Sequence, residues 1–248
     1  MAAVFFRGFG ADFVPRGLLF VALVTGLYAG FARADAISGA DSAAREEVSS
    51  AEEQKTLLVL GDSISAAYGL DERQGWVQLL RERLAERGLS VEVVNASVSG
   101  ETSSGGVARL PRLLTEHSPE WLVVELGGND GLRGYPPRAL QQNLQRMVKM
   151  ARAGGAEVLL LGMQMPPNYG KAYTKAFAAV YPKVAAEEQV PLIPFFLEPV
   201  ALEEGAMQTD GIHPTAKAQP ALLEHVWPCL ESLLKGDVDT RSDSLCTS

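Results

Sequence analysis

Ser63, Asp210 and His213 are the residues of this chain whose types and setting allow nucleophilic chemistry. A serine hydroxyl attacks poorly until a neighbouring base takes its proton. Ser63 stands in Gly61-Asp62-Ser63, directly after the apolar run Thr56–Leu60 (TLLVL). A turn at that strand's end would leave its Oγ facing solvent and its N–H facing a substrate oxygen. Asp210 and His213 stand three apart in Asp210-Gly211-Ile212-His213-Pro214. Within one turn a carboxylate can hold the histidine Nδ1–H, fix the tautomer and leave Nε2 toward the serine. Each residue also has a plainer role. Ser63 could be a turn or cap serine, and Asp210 to His213 a turn that starts the last helix with Pro214 at its first position. A lone GDS tripeptide favours the plainer role. His117, just before the third strand, and His225, inside the last helix, read as structural or surface residues.

Acyl transfer needs a third element, fixed donors aimed at the oxygen that gains charge. The candidates are the backbone N–H of Ser63, the backbone N–H of Gly100 and the side-chain amide of Asn129. Gly100 and Asn129 could equally be turn residues. Asp62 and Asp130, beside these positions, read as acids that hold turns and not as proton carriers.

The elements that must position these residues alternate. Strand-like runs at Thr56–Leu60, Val91–Val94, Trp121–Leu126, Val158–Met163 and Pro191–Phe196 are separated by helical patterns. Those patterns cover about 75–87, 106–116, 139–153, 172–188 and 215–234. The alternation predicts a three-layer α/β/α domain with a five-stranded, mostly parallel sheet. In such sheets ligands bind beyond the carboxyl ends of the strands. The segments carrying Ser63, Gly100 and Asn129 follow strands one, two and three, and the Asp210–His213 loop precedes the last helix. Four distant loops are therefore expected at one edge.

The bulk properties narrow the field. The chain has 248 residues and a formal charge of -8, with no clustered basic stripe, so nucleic-acid binding has no electrostatic footprint. Its cysteines are Cys229 and Cys246, with no CxxC pair and no HExxH-like spacing, which argues against a metal site. The two cysteines could bridge in an oxidising compartment or remain thiols.

Residues 1–34 predict a signal peptide: Arg7 and Arg16, an apolar run over 17–31, then Ala32-Arg33-Ala34 as a small-x-small cleavage site. An overlapping site is Ala34-Asp35-Ala36. The run is short of the roughly 20 residues of a comfortable transmembrane helix, so no stable membrane span is expected after processing, and an uncleaved anchor is the alternative. Residues 35–55 predict a flexible acidic linker, 56–235 the folded domain and 236–248 a polar tail.

Four blocks in order carry a resemblance: LVLGDSISAAYG with Ser63, VVNASVSGETS with Gly100, VVELGGNDGLRG with Asn129 and DGIHPT with Asp210 and His213. On these the chain resembles the SGNH (GDSL) hydrolase superfamily from about Leu57 to Trp227. Within it, the runs at 108–114, 166–170 and 190–196 look like the bacterial periplasmic acyl-CoA thioesterase, lysophospholipase and arylesterase subgroup. The resemblance implies a flavodoxin-like strand order 2-1-3-4-5, Ser63 as nucleophile, His213 as base, Asp210 as its partner, and Ser63, Gly100 and Asn129 as the oxyanion hole. It implies no cofactor, an exported location, and small-molecule or lipid acyl esters and thioesters as substrates. The GxSxG elbow of ordinary α/β-hydrolases is absent. Leu132, Tyr135, Met165, Pro166 and Tyr169, on loops after strands three and four, could line an apolar acyl groove, with Met163 either there or in the core. A carbohydrate acetylesterase and a non-catalytic lipid- or glycan-binding module are the alternative functions.

Overall fold

Why this chain makes a sheet covered on both faces follows from its strands, which are apolar without alternation. In a computed structural model describing residues 54–237, β1 (Lys55–Gly61) has every residue but the first buried, and β3 (Trp121–Glu125) is buried throughout. They pair in parallel, Leu57 opposite Trp121 and Val59 opposite Val123. With β2 (Val91–Asn95), β4 (Glu157–Leu161) and β5 (Leu192–Ile193) they form one parallel sheet in the order β2-β1-β3-β4-β5, the flavodoxin-like order expected. The targeting segment, nearly all of the acidic linker, most of the tail and Cys246 lie outside the described residues.

Seven helices cover this sheet among the described residues: α1 (Trp76–Glu86), α2 (Ser103–His117), α3 (Gly128–Leu132), α4 (Pro137–Ala153), α5 (Lys171–Ala178), α6 (Val180–Glu188) and α7 (Gln219–Lys235). α1 packs beside α7, while α4 packs between α2 and α6. Between helices and sheet lies a continuous core that includes Leu58, Leu60, Leu80, Leu122, Leu144, Leu160 and Leu230. Wrapping helices and strands around one such core makes the strand ends, where polar residues begin, the natural edge for a site.

Proline and a helix cap account for most departures from the expected elements. The single helix expected over 172–188 is two, because Pro182 lacks the N–H that would bond the carbonyl of Ala178, and the chain breaks at Ala179. The fifth strand shrinks to two residues between Pro191 and Pro194, neither of which can donate to a ladder. The last helix begins at Gln219, after a 3-10 turn over Ala216–Ala218, and not at Thr215. The second helix starts earlier than expected, at Ser103, because Thr102 accepts the N–H of Gly105 as a cap. The segment Gly128–Leu132, expected as loop, is the short helix α3.

Candidate active site

The Ser63 turn is held from below. Its neighbour Asp62 is buried and accepts the N–H of Ile64 at 3.1 Å. The chain then curls so that Tyr68 N–H reaches the Ser63 carbonyl at 3.0 Å. Beneath the turn lies Glu125, the fully buried last residue of β3, whose Oε2 accepts the Ser65 hydroxyl at 2.7 Å and the Asp62 N–H at 3.3 Å. Ser65 Oγ also accepts the Trp76 ring N–H at 3.2 Å, and Trp76 N–H reaches Gln219 Oε1 at 3.0 Å. The serine turn, β3 and the starts of α1 and α7 thus share one buried polar chain.

Asp210 and His213 form the turn foreseen. Asp210 Oδ1 accepts the N–H groups of Ile212 at 2.9 Å and His213 at 3.0 Å, and Oδ2 lies 2.6 Å from His213 Nδ1. A carboxylate can only accept, so Nδ1 carries the proton and Nε2 keeps its lone pair. That Nε2 lies 2.8 Å from Ser63 Oγ. Residues 150 positions apart are thereby joined in one line from carboxylate to hydroxyl. The hydrogen bond from His213, with those of the two backbone N–H groups, holds the Asp210 carboxyl down to about 2.

Asn129 sits in α3, and its Nδ2 donates to Asp62 Oδ2 at 3.0 Å. An amide nitrogen has two protons, so one stays free. Burial pushes the Asp62 carboxyl up to about 6, against the lowering effect of Ile64 N–H and Asn129. Burial, then the adjacent Asp62 charge, pushes Glu125 well above the usual carboxylate range.

Gly100 has φ +80°, a conformation that favours glycine, and its carbonyl accepts Arg133 Nη2 at 3.0 Å. Its loop is tied to α3 a second time. Buried Asp130 accepts Ser103 N–H at 2.8 Å and Ser103 Oγ at 2.5 Å, at the first residue of α2. The acids expected to hold turns do so: Asp62 fixes the serine turn and the Asn129 amide, and Asp130 fixes the Gly100 loop against α3.

The residues expected to border an acyl groove are knitted together across two loops. Tyr169 hydroxyl donates to the Leu132 carbonyl at 3.2 Å, and Tyr173 hydroxyl to the Tyr135 carbonyl at 2.8 Å. Met165 lies over Gly131, where a Cβ would stand 2.2 Å from its sulfur. Tyr135 and Pro166 are exposed, whereas Leu132, Met165 and Tyr169 are half-buried. Met163 is buried in the core and has no free surface for a ligand. A separate groove of about 600 Å³ between α4 and the α5–α6 pair, lined by Arg138, Gln142 and Lys183 among others, contains none of these residues.

The other histidines stand apart. His117 ends α2, and His225 in α7 lies 3.1 Å from the Phe195 carbonyl through Nε2. Among the described residues no group of three or more His, Cys, Asp or Glu could hold a metal ion, and no helix is long and apolar enough to cross a membrane. What sequence reasoning missed is the underside of the site: Glu125, Ser65, Trp76, Gln219 and Ser103. The visible signal was Glu125, an acid inside the otherwise apolar run WLVVEL.

This arrangement has relatives. The chain is 63% identical over 180 residues to esterase TesA of Pseudomonas aeruginosa, a match covering 73% of this chain and 90% of that one. It is 47% identical over 182 residues to thioesterase 1/protease 1/lysophospholipase L1 of Escherichia coli, covering 73% and 86%. The crystal structure of the psychrotrophic esterase EstA from Pseudoalteromonas, inhibited by monoethylphosphonate, is similar with a TM-score of 0.70 and 39% identity, covering 73% of this chain and 99% of that one. Residues 59–220, well over half of the chain and all four loops of the site, match one family as a unit, and on that match the chain is a hydrolase belonging to the GDSL-like lipase/acylhydrolase family.

Proposed function

We propose that Ser63, His213 and Asp210 hydrolyse acyl esters and thioesters through an acyl-enzyme on Ser63. One observation carries this: the line Asp210–His213–Ser63, with contacts of 2.6 and 2.8 Å. Ser63 Oγ attacks the acyl carbon while its proton passes to His213 Nε2. The tetrahedral intermediate collapses, the bond to the alcohol or thiol breaks, and His213 protonates that leaving group. Water then attacks the acyl-serine with His213 again as base, and the free acid leaves. Asp210 keeps the imidazole in the right tautomer and stabilises its cation. The N–H groups of Ser63 and Gly100 and the unused proton of the Asn129 amide stabilise the oxyanion.

The substrate class follows from the names borne by the relatives, an esterase and a thioesterase/lysophospholipase. Leu132, Tyr135, Met165, Pro166 and Tyr169 border an apolar path for the acyl chain, and no cofactor enters the reaction. The charge of the reacting groups is supplied by the protein alone. Residues 1–34 direct export to the periplasm or beyond and are removed, 35–55 act as a linker, and 56–235 form the hydrolase domain.

A fluorophosphonate probe with peptide mapping, joined to nitrophenyl esters from acetyl to palmitoyl, tests the proposal. Labelling at Ser63, its loss in Ser63→Ala together with hydrolysis, and activity on medium or long chains are expected. Full activity in Ser63→Ala would overturn the mechanism. Hydrolysis confined to acetyl esters would overturn the apolar acyl path and favour a carbohydrate acetylesterase, and no labelling at all would favour a binding module.

A further inference from the structure

The nucleophile and the base stand on two separate loops. Ser63 belongs to the turn after β1, and His213 to the loop that returns from β5 to α7. A 2.8 Å contact between two loop side chains needs the loops themselves to be held at that spacing, since a displacement of about 1 Å can cost around 10²-fold in rate. Something must set that distance.

Gln208 is built to do so. Its single Nε2 donates to the carbonyl of Tyr68 at 2.9 Å and to the carbonyl of Pro214 at 3.1 Å. Tyr68 closes the serine turn, its own N–H bonded to the Ser63 carbonyl at 3.0 Å. Pro214 directly follows His213. Both partners are carbonyls, which can only accept, so the amide must present nitrogen there and both of its protons are used. The backbone of Gln208 is anchored to the histidine loop as well. Its N–H reaches the His213 carbonyl at 2.7 Å, its carbonyl accepts Gly211 N–H at 2.9 Å, and the adjacent Met207 pairs with Pro214 in an antiparallel bridge. Gly69, at φ +76°, leaves room for the amide; a Cβ there would stand 2.5 Å from Gln208 Oε1. Among the described residues this is the one side-chain hydrogen bond, besides Ser63 to His213, that joins residues 62–70 to residues 206–215. The Tyr68 ring, with its centroid 4.6 Å from that of His213, packs across the same junction.

We propose that Gln208 is a positioning residue, an amide clasp that holds the Ser63 turn and the His213 loop at the spacing proton transfer requires. This rests on the serine mechanism proposed above. The Gln208 side chain bonds neither Ser63 Oγ nor the His213 ring, and it acts through the two carbonyls it gathers.

The test uses the full-length protein. Gln208→Met keeps length and removes both donors, whereas Gln208→Glu keeps shape and sets a carboxylate against two carbonyl oxygens. In both, labelling of Ser63 by a fluorophosphonate probe and kcat on nitrophenyl butyrate should fall about 10- to 100-fold, more in Glu than in Met, with KM within about twofold. Thr215→Val serves as control. It removes hydroxyl bonds to the Gly205 and Ala206 carbonyls within the same loop but leaves the clasp in place. It should lower Tm while Ser63 labels at the unaltered rate. Unaltered labelling of both Gln208 variants would overturn the clasp alone. So would equal slowing in Thr215→Val at matched loss of Tm, which would make general loosening of the loop the cause. Failure of the unaltered protein to label at Ser63 would overturn the serine mechanism, and the clasp with it.

Discussion

Two carboxyls beside the serine turn have opposite settings, one made by hydrogen bonds and the other by burial. Asp210 is open to solvent on one side, and its hydrogen bonds hold it at about 2, against an ordinary 3.8. A depressed carboxyl contributes stability above its unfolded value, and that contribution is lost as pH falls from about 3.8 through about 2. Asp210 therefore stays ionised wherever the enzyme is assayed, ready to stabilise an imidazolium. Asp210→Asn should cut kcat about 10³- to 10⁴-fold through the wrong tautomer, and a loss under tenfold on nitrophenyl butyrate would contradict its role. Asp62 has the opposite sign. Its burial raises it from 3.8 to about 6, so folding is disfavoured progressively as pH climbs between those values. The penalty reaches its full size above about pH 6. Asp62→Asn removes it, so chemical denaturation should show the variant gaining stability relative to wild type at pH 8 compared with pH 4. An identical difference at both pH values would refute the buried charge. On the proposed mechanism, Asn129→Ala removes one of the three oxyanion donors and should lower kcat about 10²- to 10³-fold with little change in KM.

Short elements, more than long ones, decide where the donors point. α3 is only five residues long, yet it delivers Asn129 to Asp62 and Asp130 to the start of α2. Its entry depends on Gly127, which has φ +123° and no space for a side chain: a Cβ would lie 2.2 Å from the Tyr181 hydroxyl. That hydroxyl donates to the Leu126 carbonyl at 3.1 Å, one residue earlier. Gly127→Ala combines backbone strain of about 1–3 kcal/mol with disruption of a buried bond worth about 1 kcal/mol. A loss of about 2–4 kcal/mol in urea unfolding is expected, with kcat reduced because Asn129 moves. A variant as stable as wild type would show that α3 tolerates another entry. Proline shapes elements in the other direction, dividing α5 from α6 and trimming β5 to two residues.

At the scale of the molecule, the site and its supports are contained in residues 54–237, which lie within one compact unit. A chain beginning at Gln54 keeps every described hydrogen bond of the triad, the Asp62–Asn129 pair and the Gln208 clasp. Its kcat/KM on nitrophenyl butyrate should lie within about twofold of the full chain, and a larger loss would mean that the first 53 residues contribute to the site. The acidic net charge of -8 calls for no separate role beyond solubility.

What the amino-acid order determined by itself was the sheet and the places of the candidate residues at its edge. Apolar runs long enough to be buried on both faces announce parallel strands. Ser63, Gly100, Asn129 and the Asp210–His213 pair are legible because each follows or precedes such a run, in segments short enough to be recognised locally. Tertiary structure decided what depends on neighbours distant in sequence. Glu125 sits in an apolar strand, and only the fold reveals that Ser65 and the Asp62 N–H meet it there. Gln208 is an ordinary loop residue until two carbonyls, one 140 positions away, converge on its nitrogen. Burial and hydrogen-bond partners belong to the folded chain, and so the roles they create become visible only when the loops have met.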